Sequence, residues 1–232
     1  MKRLVLLGEG HGEVSAFPIL AKRLLREKKL DDLFFIDDKL VRTGNAAGLI
    51  KWDKEKRKND SSKWSRLLRI ASRRPNLGGV LAVYDGDART FPAGSSTNFC
   101  PATAAKLMAT EAIEAGAGKT FSLAIVFACV EYESWLVAGV ESLVGKTFKD
   151  GRPALASNVK EAIGEPESHG KKWLERNSPG YRPARDQSLL TELVDFSVVR
   201  KKNLRSFARL ENALNELQKA NESGVFVSTP SA

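Results

Sequence analysis

Short apolar runs alternate with longer amphipathic segments along the first half of the chain. The runs are rich in branched and aromatic side chains and predict buried strands at residues 3–7, 33–36, 79–84 and 122–129. Apolar residues at helical spacing predict helices at residues 13–27, 62–74 and 102–115. Strands that alternate with helices are typical of an α/β fold, so we expect a small, Rossmann-like parallel sheet flanked by helices.

The second half of the chain is predicted to be helical. Short helical segments are expected at residues 131–144, 157–163, 167–176 and 186–194, and a longer helix at 203–219. No further strand is predicted, and the last ten or so residues are expected to fray. We therefore predict an α/β core over residues 1–140 and a C-terminal helical extension, packed on that core, over residues 141–232.

Acidic residues follow three of the predicted strands. They are Glu9 and Glu13 after the first strand, Asp85 and Asp87 after the third, and Glu131 and Glu133 after the fourth. Loops that leave the carboxyl ends of parallel strands form the binding crevice of an open sheet, so these side chains are expected to converge. Converging carboxylates need a cation, and hard oxygen ligands suit Mg²⁺ or Mn²⁺.

Each acidic motif also has a structural interpretation. Asp85-Gly86-Asp87 is typical of an ordinary turn, because Asp and Gly both favour turns. Glu13 could stabilise a helix N-terminus, and Glu133 with Trp135 could be a first-turn acid beside a core anchor. His11, between two glycines, could bind a metal, donate to a phosphate or cap the turn.

The positive charge of the chain is concentrated in two stretches. The formal net charge is +9, and residues 51–74 hold ten Lys or Arg against three Asp or Glu, with a second basic stretch at residues 171–205. A basic surface around an acidic metal site suits a polyphosphate or nucleic-acid substrate. We expect phosphates to be held by Lys63, Arg66, Arg69 and Arg73 of the predicted helix 62–74. The alternative is that these charges only solvate a helix face.

Other patterns exclude some classes of protein. Gly116-Ala117-Gly118-Lys119-Thr120 is not a phosphate loop, because Ile113 stands where its first Gly would be and a strand follows instead of preceding it. Cys100 and Cys129 have no metal-ligand spacing and are expected to be free thiols in a reducing compartment. The N-terminal apolar run is too short for a signal peptide, and no run is long enough for a membrane span. A cytoplasmic protein is expected.

The acidic motifs together resemble those of a TOPRIM-like domain, which has a Glu after its first strand and an Asp-x-Asp after its third. More closely, the chain resembles a bacterial family known as domain of unknown function 4276 (DUF4276). The matching segments are Glu9-Gly10, Asp85-Gly86-Asp87 and Glu131-Tyr132-Glu133-Ser134-Trp135, with Tyr181-Arg182, Asp186 and Ser206-Phe207 in the helical part. TOPRIM relatives include nucleases, primases and topoisomerases. The resemblance thus implies metal-dependent phosphodiester chemistry, with an ATPase partner in a defence or mobile-element system.

The leading hypothesis is a nuclease that depends on Mg²⁺ or Mn²⁺. Asp85 and Asp87 would hold the metal, and Glu9 would be a further ligand or the general base. A second ion could use Glu13, Glu131 or Glu133. Two alternatives stay open: another metal-dependent phosphate enzyme, such as a phosphatase or nucleotide-sugar transferase, or a non-catalytic subunit that binds a partner protein. Against the phosphatase, Arg89 stands where that pattern has Thr or Val.

Overall fold

Among the residues that the structure describes, six parallel strands form the centre of the molecule. The computed structural model describes residues 1–10, 12–50, 62–93, 95–159 and 169–231. The strands are β1 (Lys2–Gly8), β2 (Phe34–Ile36), β3 (Val41–Arg42), β4 (Leu77–Asp85), β5 (Leu123–Ala128) and β6 (Ser228–Thr229). Their spatial order is β2-β1-β4-β5-β6, with β3 also paired to β1, and each of these pairings is parallel. The predicted α/β fold with a parallel sheet is confirmed.

Eight α-helices are found among the described residues. They are α1 (Glu13–Glu27), α2 (Lys63–Ser72), α3 (Pro101–Ile113), α4 (Glu133–Ala138), α5 (Gly170–Asn177), α6 (Pro183–Leu193), α7 (Phe196–Lys201) and α8 (Arg205–Ser223). Local sequence sets several of their ends. The Ser62 hydroxyl accepts the Ser65 N–H at the start of α2, and prolines occupy the first positions of α3 and α6, where no N–H is needed.

The helices cover the sheet on both faces. Alternate residues of a strand point to opposite faces, so Leu4 and Leu6 lie in one apolar cluster while Val5 and Leu7 lie in another. Helices α1 and α4–α8 pack in the first cluster, and α2 and α3 pack in the second with the segment at residues 46–50. The molecule is therefore a three-layer sandwich, and both faces of its strands are buried, as in other parallel sheets.

The direction of chain progression reverses between β1 and β4. The chain leaves β1 through α1, which covers one face of the sheet, and reaches β2, beside β1 and away from β4. It leaves β4 through α3, which covers the other face, and reaches β5, beside β4 and away from β1. This is a topological switch point, where loops leaving the carboxyl ends of neighbouring strands diverge and leave a crevice. Glu9 lies in the loop that follows β1. Asp85 ends β4, and Asp87 lies in the loop that follows it.

The C-terminal half differs from prediction in three places. Strand β6 was not expected, because Ser228–Thr229 is only two residues long and polar. Leu123 donates its N–H to the Val227 carbonyl at 2.8 Å, and this hydrogen bond starts the pairing. Helix α7 was also missed. Residues 157 and 158 form a turn and residue 159 has no regular secondary structure, so the predicted helix does not start there. The rest of that predicted helix, 160–163, lies outside the described residues.

Helices α6 and α8 share the core of the sheet. Helix α6 packs against α1, and α8 packs against β4 and β5. The Asn221 side chain of α8 donates to the Gly78 carbonyl at 2.6 Å, next to the start of β4. In the described part of the chain, no helix has both the length and the apolar character needed to cross a membrane.

Candidate functional site

The acidic loops leave adjacent strands at the same edge of the sheet. Gly8 at the end of β1 is in register with Val83 of β4, and Asp85 at the end of β4 is in register with Ala128 of β5. Glu9 follows at once, and Glu131 lies three residues beyond the end of β5. The carboxyl edge of the sheet thus brings the three predicted acidic loops to the switch point.

Close packing between the loops after β4 and β5 fixes the Asp85-Gly86-Asp87 turn. The Gly86 N–H donates to the Val130 carbonyl at 2.6 Å, and a Cβ on Gly86 would lie 2.5 Å from the Ala128 carbonyl oxygen. Any larger residue would push the two loops apart. Glycine is therefore required between the two aspartates by contact with the neighbouring strand.

Glu9 lies in a desolvated and electrostatically unfavourable position for a charged carboxylate. Burial raises the pKa of Glu9 to about 7, and the charges of Asp87 and Glu13 act in the same direction. The Asn45 amide donates to Glu9 Oε1 at 3.1 Å, which favours the charged form but does not offset the other effects. Asp87 and Glu13 are thus each close enough to Glu9 to disfavour its charge.

Asp85 lies deeper, between the same residues and the start of α4. Burial raises the pKa of Asp85 well above its ordinary range, and the charges of Glu13, Glu133 and Glu9 add to the effect. The Tyr132 backbone N–H donates to Asp85 Oδ1 at 2.8 Å and opposes it. Asp85 is therefore the residue that connects the β1 carboxylates with those of the β5 loop.

Glu133 is the deepest carboxylate of the β5 loop, with 3% of its surface exposed. Burial raises the pKa of Glu133 to about 7, and the charge of Glu131 raises it further, while hydrogen bonds including those from Gln187 and Tyr181 lower it. The Tyr181 hydroxyl donates to Glu133 Oε1 at 3.0 Å. Glu131 accepts the Lys171 backbone N–H at 2.7 Å, at the start of α5.

The structure thus brings all six predicted carboxylates to one edge. Among the residues that the structure describes, no Lys or Arg side chain forms an ion pair with any of them. The buried Glu13 Oε2 also has no hydrogen-bond partner. A cluster of carboxylates in which Glu9, Asp85 and Glu133 have raised pKa values is a donor set of the kind that hard divalent cations bind.

The chemistry of this donor set fits Mg²⁺ or Mn²⁺, but the ligands are not preassembled. In the described ranges, no three Asp, Glu, His or Cys side chains are arranged so that they could hold a metal ion. Binding would therefore require the carboxylates to move together, which their mutual repulsion opposes until the cation is present. His11, a predicted site residue, lies outside the described residues.

Several polar residues of the site were not predicted. Asn45 comes from the connection after β3, and Tyr181 and Gln187 come from the helical C-terminal half. Gln187 is 1% exposed, and its Oε1 would clash with a Cβ on Gly12, so α6 lies directly against the loop after β1. No local sequence pattern indicates these contacts, because they join segments more than thirty residues apart.

The predicted phosphate-binding residues are spread along α2 instead of being gathered at the acidic edge. Lys63 begins the helix at that edge. Its ammonium group donates to the Thr43 carbonyl at 3.0 Å, and the Thr43 N–H in turn donates to the carbonyl of Gly8, the last residue of β1. The helix then runs toward the opposite edge and is about 15 Å long. Arg66, Arg69 and Arg73 are exposed along it, and Arg73 lies at the far end.

The fold and the site define an α/β protein with an acidic cluster at the switch point of a parallel sheet. The sequence model of the family described as Domain of unknown function (DUF4276) matches residues 8–215, and the chain belongs to that family. Comparison with curated proteins and with solved structures gives no match. The DUF4276 part of the predicted resemblance is confirmed, and the wider TOPRIM-like resemblance stays a prediction.

Proposed function

We propose that the chain is a nuclease that hydrolyses phosphodiester bonds with Mg²⁺ or Mn²⁺. The observation that supports this most is the convergence of Glu9, Asp85 and Glu133, each with a raised pKa, at the crevice of the sheet. Buried carboxylates that oppose one another's charge are costly to a fold, and such groups cluster at functional sites. Binding of a divalent cation is the simplest role that makes use of all of them.

Asp85 and Asp87 would hold the cation, with Glu9 as a further ligand or the general base. Glu13, Glu131 or Glu133 would contribute to a second position. When bound, the cation would neutralise charge on the phosphate and lower the pKa of a coordinated water. Where it is not a ligand, Glu9 would act as the general base and accept a proton from the attacking water. The water oxygen would bond to phosphorus, one P–O ester bond would break, and the leaving oxygen would take a proton from solvent.

Lys63 would position the phosphate nearest to the site, because it is the member of the basic set that lies at the acidic edge. Arg66, Arg69 and Arg73 would hold the nucleic-acid backbone as it passes along the outer face of α2. Such contacts fix the register of a nucleic acid without reading its sequence. The proposal therefore implies an extended substrate, longer than one nucleotide.

The TOPRIM-like resemblance supports the same chemistry, because that class places a Glu and an Asp-x-Asp at the positions of Glu9, Asp85 and Asp87. It also leads us to propose a bacterial defence or mobile-element setting and an ATPase partner.

Cleavage by purified protein tests the proposal directly. Supercoiled DNA, single-stranded DNA and structured RNA would each be incubated with Mg²⁺, with Mn²⁺ or with a chelator. Wild-type protein should cut at least one of them in the presence of metal, and Asp85→Asn should lose the activity. Asp32→Asn, an exposed carboxylate in the turn before β2, is the matched control and should cut normally.

Each result separates the alternatives. Equal cutting by wild type and Asp85→Asn would reject this site. Hydrolysis of a small phosphoester with no action on nucleic acid would instead indicate a phosphatase-like enzyme.

The second candidate function is a non-catalytic subunit that binds a partner protein. It is favoured by one observation, the lack of a ready-made metal geometry among the described residues. Two results together would support this second candidate. The protein would cut none of the three substrates with metal, and Asp85→Asn would bind the partner as well as wild type does.

A further inference from the structure

A groove lies on the side of the molecule formed by the outer edge of β5. Its volume is about 400 Å³, and its walls are α3 and α8. Ile125, Val126 and Phe127 of β5 form its floor, and β6 closes one end with Thr229 and Pro230. None of the six carboxylates of the acidic site lines it.

The floor of the groove is a strand edge that β6 leaves open. Leu123 donates its N–H to Val227, on the side of β5 that faces away from β4. Backbone groups of alternate residues point to the same side, so Ile125 and Phe127 also direct their N–H and C=O groups toward the groove. The register with β6 ends at Ala124, three residues before Phe127, so β6 does not cover this part of the edge.

Strand β6 shows that this edge accepts an extended chain. It lies parallel to β5, with Leu123 opposite Ser228 and Ala124 opposite Thr229. The register ends at Thr229, and Pro230, which follows it, is not paired with β5. The groove begins at the point where β6 stops.

The walls of the groove differ in charge along its length. Strand β6 is parallel to β5 and begins soon after α8 ends, so α8 runs antiparallel to β5. Arg209, near the start of α8, therefore lies toward the carboxyl end of β5. Glu216 lies about two turns further along α8, toward the amino end of β5. Lys106 of α3 and Arg209 are both exposed and face the groove from opposite walls. The half of the groove that contains the open edge of Phe127 is therefore basic.

We propose that this groove binds an extended segment of a partner protein, which pairs with the open edge of β5 and places an acidic side chain between Lys106 and Arg209. About three or four residues of the segment would cover the stretch from Ile125 to Phe127, at roughly 3.3 Å per residue. Main-chain hydrogen bonds would provide affinity, and the apolar walls and the two cations would select the side chains. The inference is independent of the proposed nuclease activity.

Selection from a displayed library of random short peptides tests the groove. The full chain is the target, and the enriched peptides are synthesised and their affinity is measured by fluorescence polarisation. We expect peptides with alternating apolar residues and an acidic residue. Ala102→Trp, which fills the groove from an exposed position on α3, should weaken binding at least about tenfold, whereas Ala208→Trp, exposed on α8 but not lining the groove, should leave binding unchanged.

Two further measurements separate strand pairing from other kinds of binding. Arg209→Glu should weaken the binding of the acidic peptides. Replacing the acidic residue of a peptide with Lys should restore its affinity for this variant. Hydrogen exchange at the Phe127 amide, followed by NMR, should slow when the peptide binds. The proposal is overturned if no peptide is enriched, if Ala102→Trp binds as well as wild type, or if the Phe127 amide exchanges at the same rate with and without peptide.

Discussion

The Tyr132 backbone N–H donates a hydrogen bond of 2.8 Å to the Asp85 carboxylate, and this contact joins the loops that follow β4 and β5. A hydrogen bond from an N–H favours the charged carboxylate, yet burial and the neighbouring Glu13 and Glu133 raise the pKa of Asp85 well above its ordinary range. The residue is therefore held in place in an environment that disfavours its charge. Either a proton or a cation can relieve this cost, and both possibilities can be measured.

The first prediction concerns pH. The pKa values of Glu9 and Glu133 rise from 4.5 to about 7 on folding, so the folded protein holds protons that the unfolded chain releases. Proton binding by Glu9 and Glu133 therefore contributes to the free energy of unfolding. This contribution is fully present below about pH 4.5 and is lost as the pH rises through about 7. Without divalent cations, urea unfolding should therefore give a higher free energy of unfolding near pH 5 than near pH 8.

Neutral variants test whether these carboxylates cause the pH dependence. Glu9→Gln and Glu133→Gln should each reduce the loss of stability between about pH 5 and about pH 8, because the glutamine does not ionise. Glu175→Gln, exposed on α5, serves as the control and should follow wild type. If the free energy of unfolding falls equally with pH in wild type and all three variants, the acidic cluster does not control stability in this range.

The second prediction concerns metal binding. Mg²⁺ or Mn²⁺ should raise the melting temperature near pH 8, because a ligand that binds only the folded state stabilises it by about 2.7 kcal/mol at a hundred times its Kd. Asp85→Asn should abolish the increase, and Asp32→Asn should retain it. An equal increase in Asp85→Asn would place the bound cation elsewhere.

The third prediction concerns the glycine between the two aspartates. Gly86→Ala would bring a Cβ to 2.5 Å from the Ala128 carbonyl oxygen, so the loops must separate and Asp85 and Asp87 must shift. We expect a loss of about 1–3 kcal/mol in unfolding free energy and loss of the metal-induced stabilisation. Gly48→Ala is the matched control, because nothing lies within 4 Å of its added Cβ. If the metal stabilises Gly86→Ala as much as it stabilises wild type, the geometry of this turn is not required for metal binding.

The strands and the acidic loops could be predicted because each depends on local sequence. Runs such as Val80–Tyr84 have the apolar, branched character of a strand buried on both faces, and Asp85 and Asp87 come directly after that run. A parallel arrangement then places all such loops at one edge. The six carboxylates therefore follow from short patterns together with one rule of topology.

The partners of these carboxylates could not be predicted in the same way. Tyr181 contacts Glu133 and Asn45 contacts Glu9 only after distant segments have packed together, so neither contact leaves a periodic signal. Strand β6 exists because the edge of β5 supplies its hydrogen bonds, and its own residues, Ser228 and Thr229, are weak indicators of a strand. The direction of α2 across the sheet, which separates Arg73 from Lys63, is likewise a property of the topology.

The fourth prediction concerns the contact between the helical half and the site. Tyr181 is 7% exposed, and its hydroxyl donates to Glu133 at 3.0 Å. Tyr181→Phe removes that donor and should cost about 1–3 kcal/mol, with the larger loss near pH 8, where Glu133 is charged. In a double-mutant cycle with Glu133→Gln, the two losses should not add, because they remove the same interaction. Additive losses would show that the hydroxyl stabilises the fold by other contacts.

The fifth prediction separates the two ends of α2. Lys63 lies at the acidic edge, whereas Arg73 lies about 15 Å along the helix from it. For binding to single-stranded nucleic acid, Lys63→Ala and Arg73→Ala should each lower the slope of log K against log salt by about 0.7, the value for one lost phosphate contact. Only Lys63→Ala should also slow the cleavage of bound substrate, because only Lys63 is near the proposed reacting phosphate. Lys219→Ala, exposed near the end of α8, should change neither quantity. If the salt slope stays at the wild-type value in both α2 variants, the basic face of this helix does not bind nucleic acid.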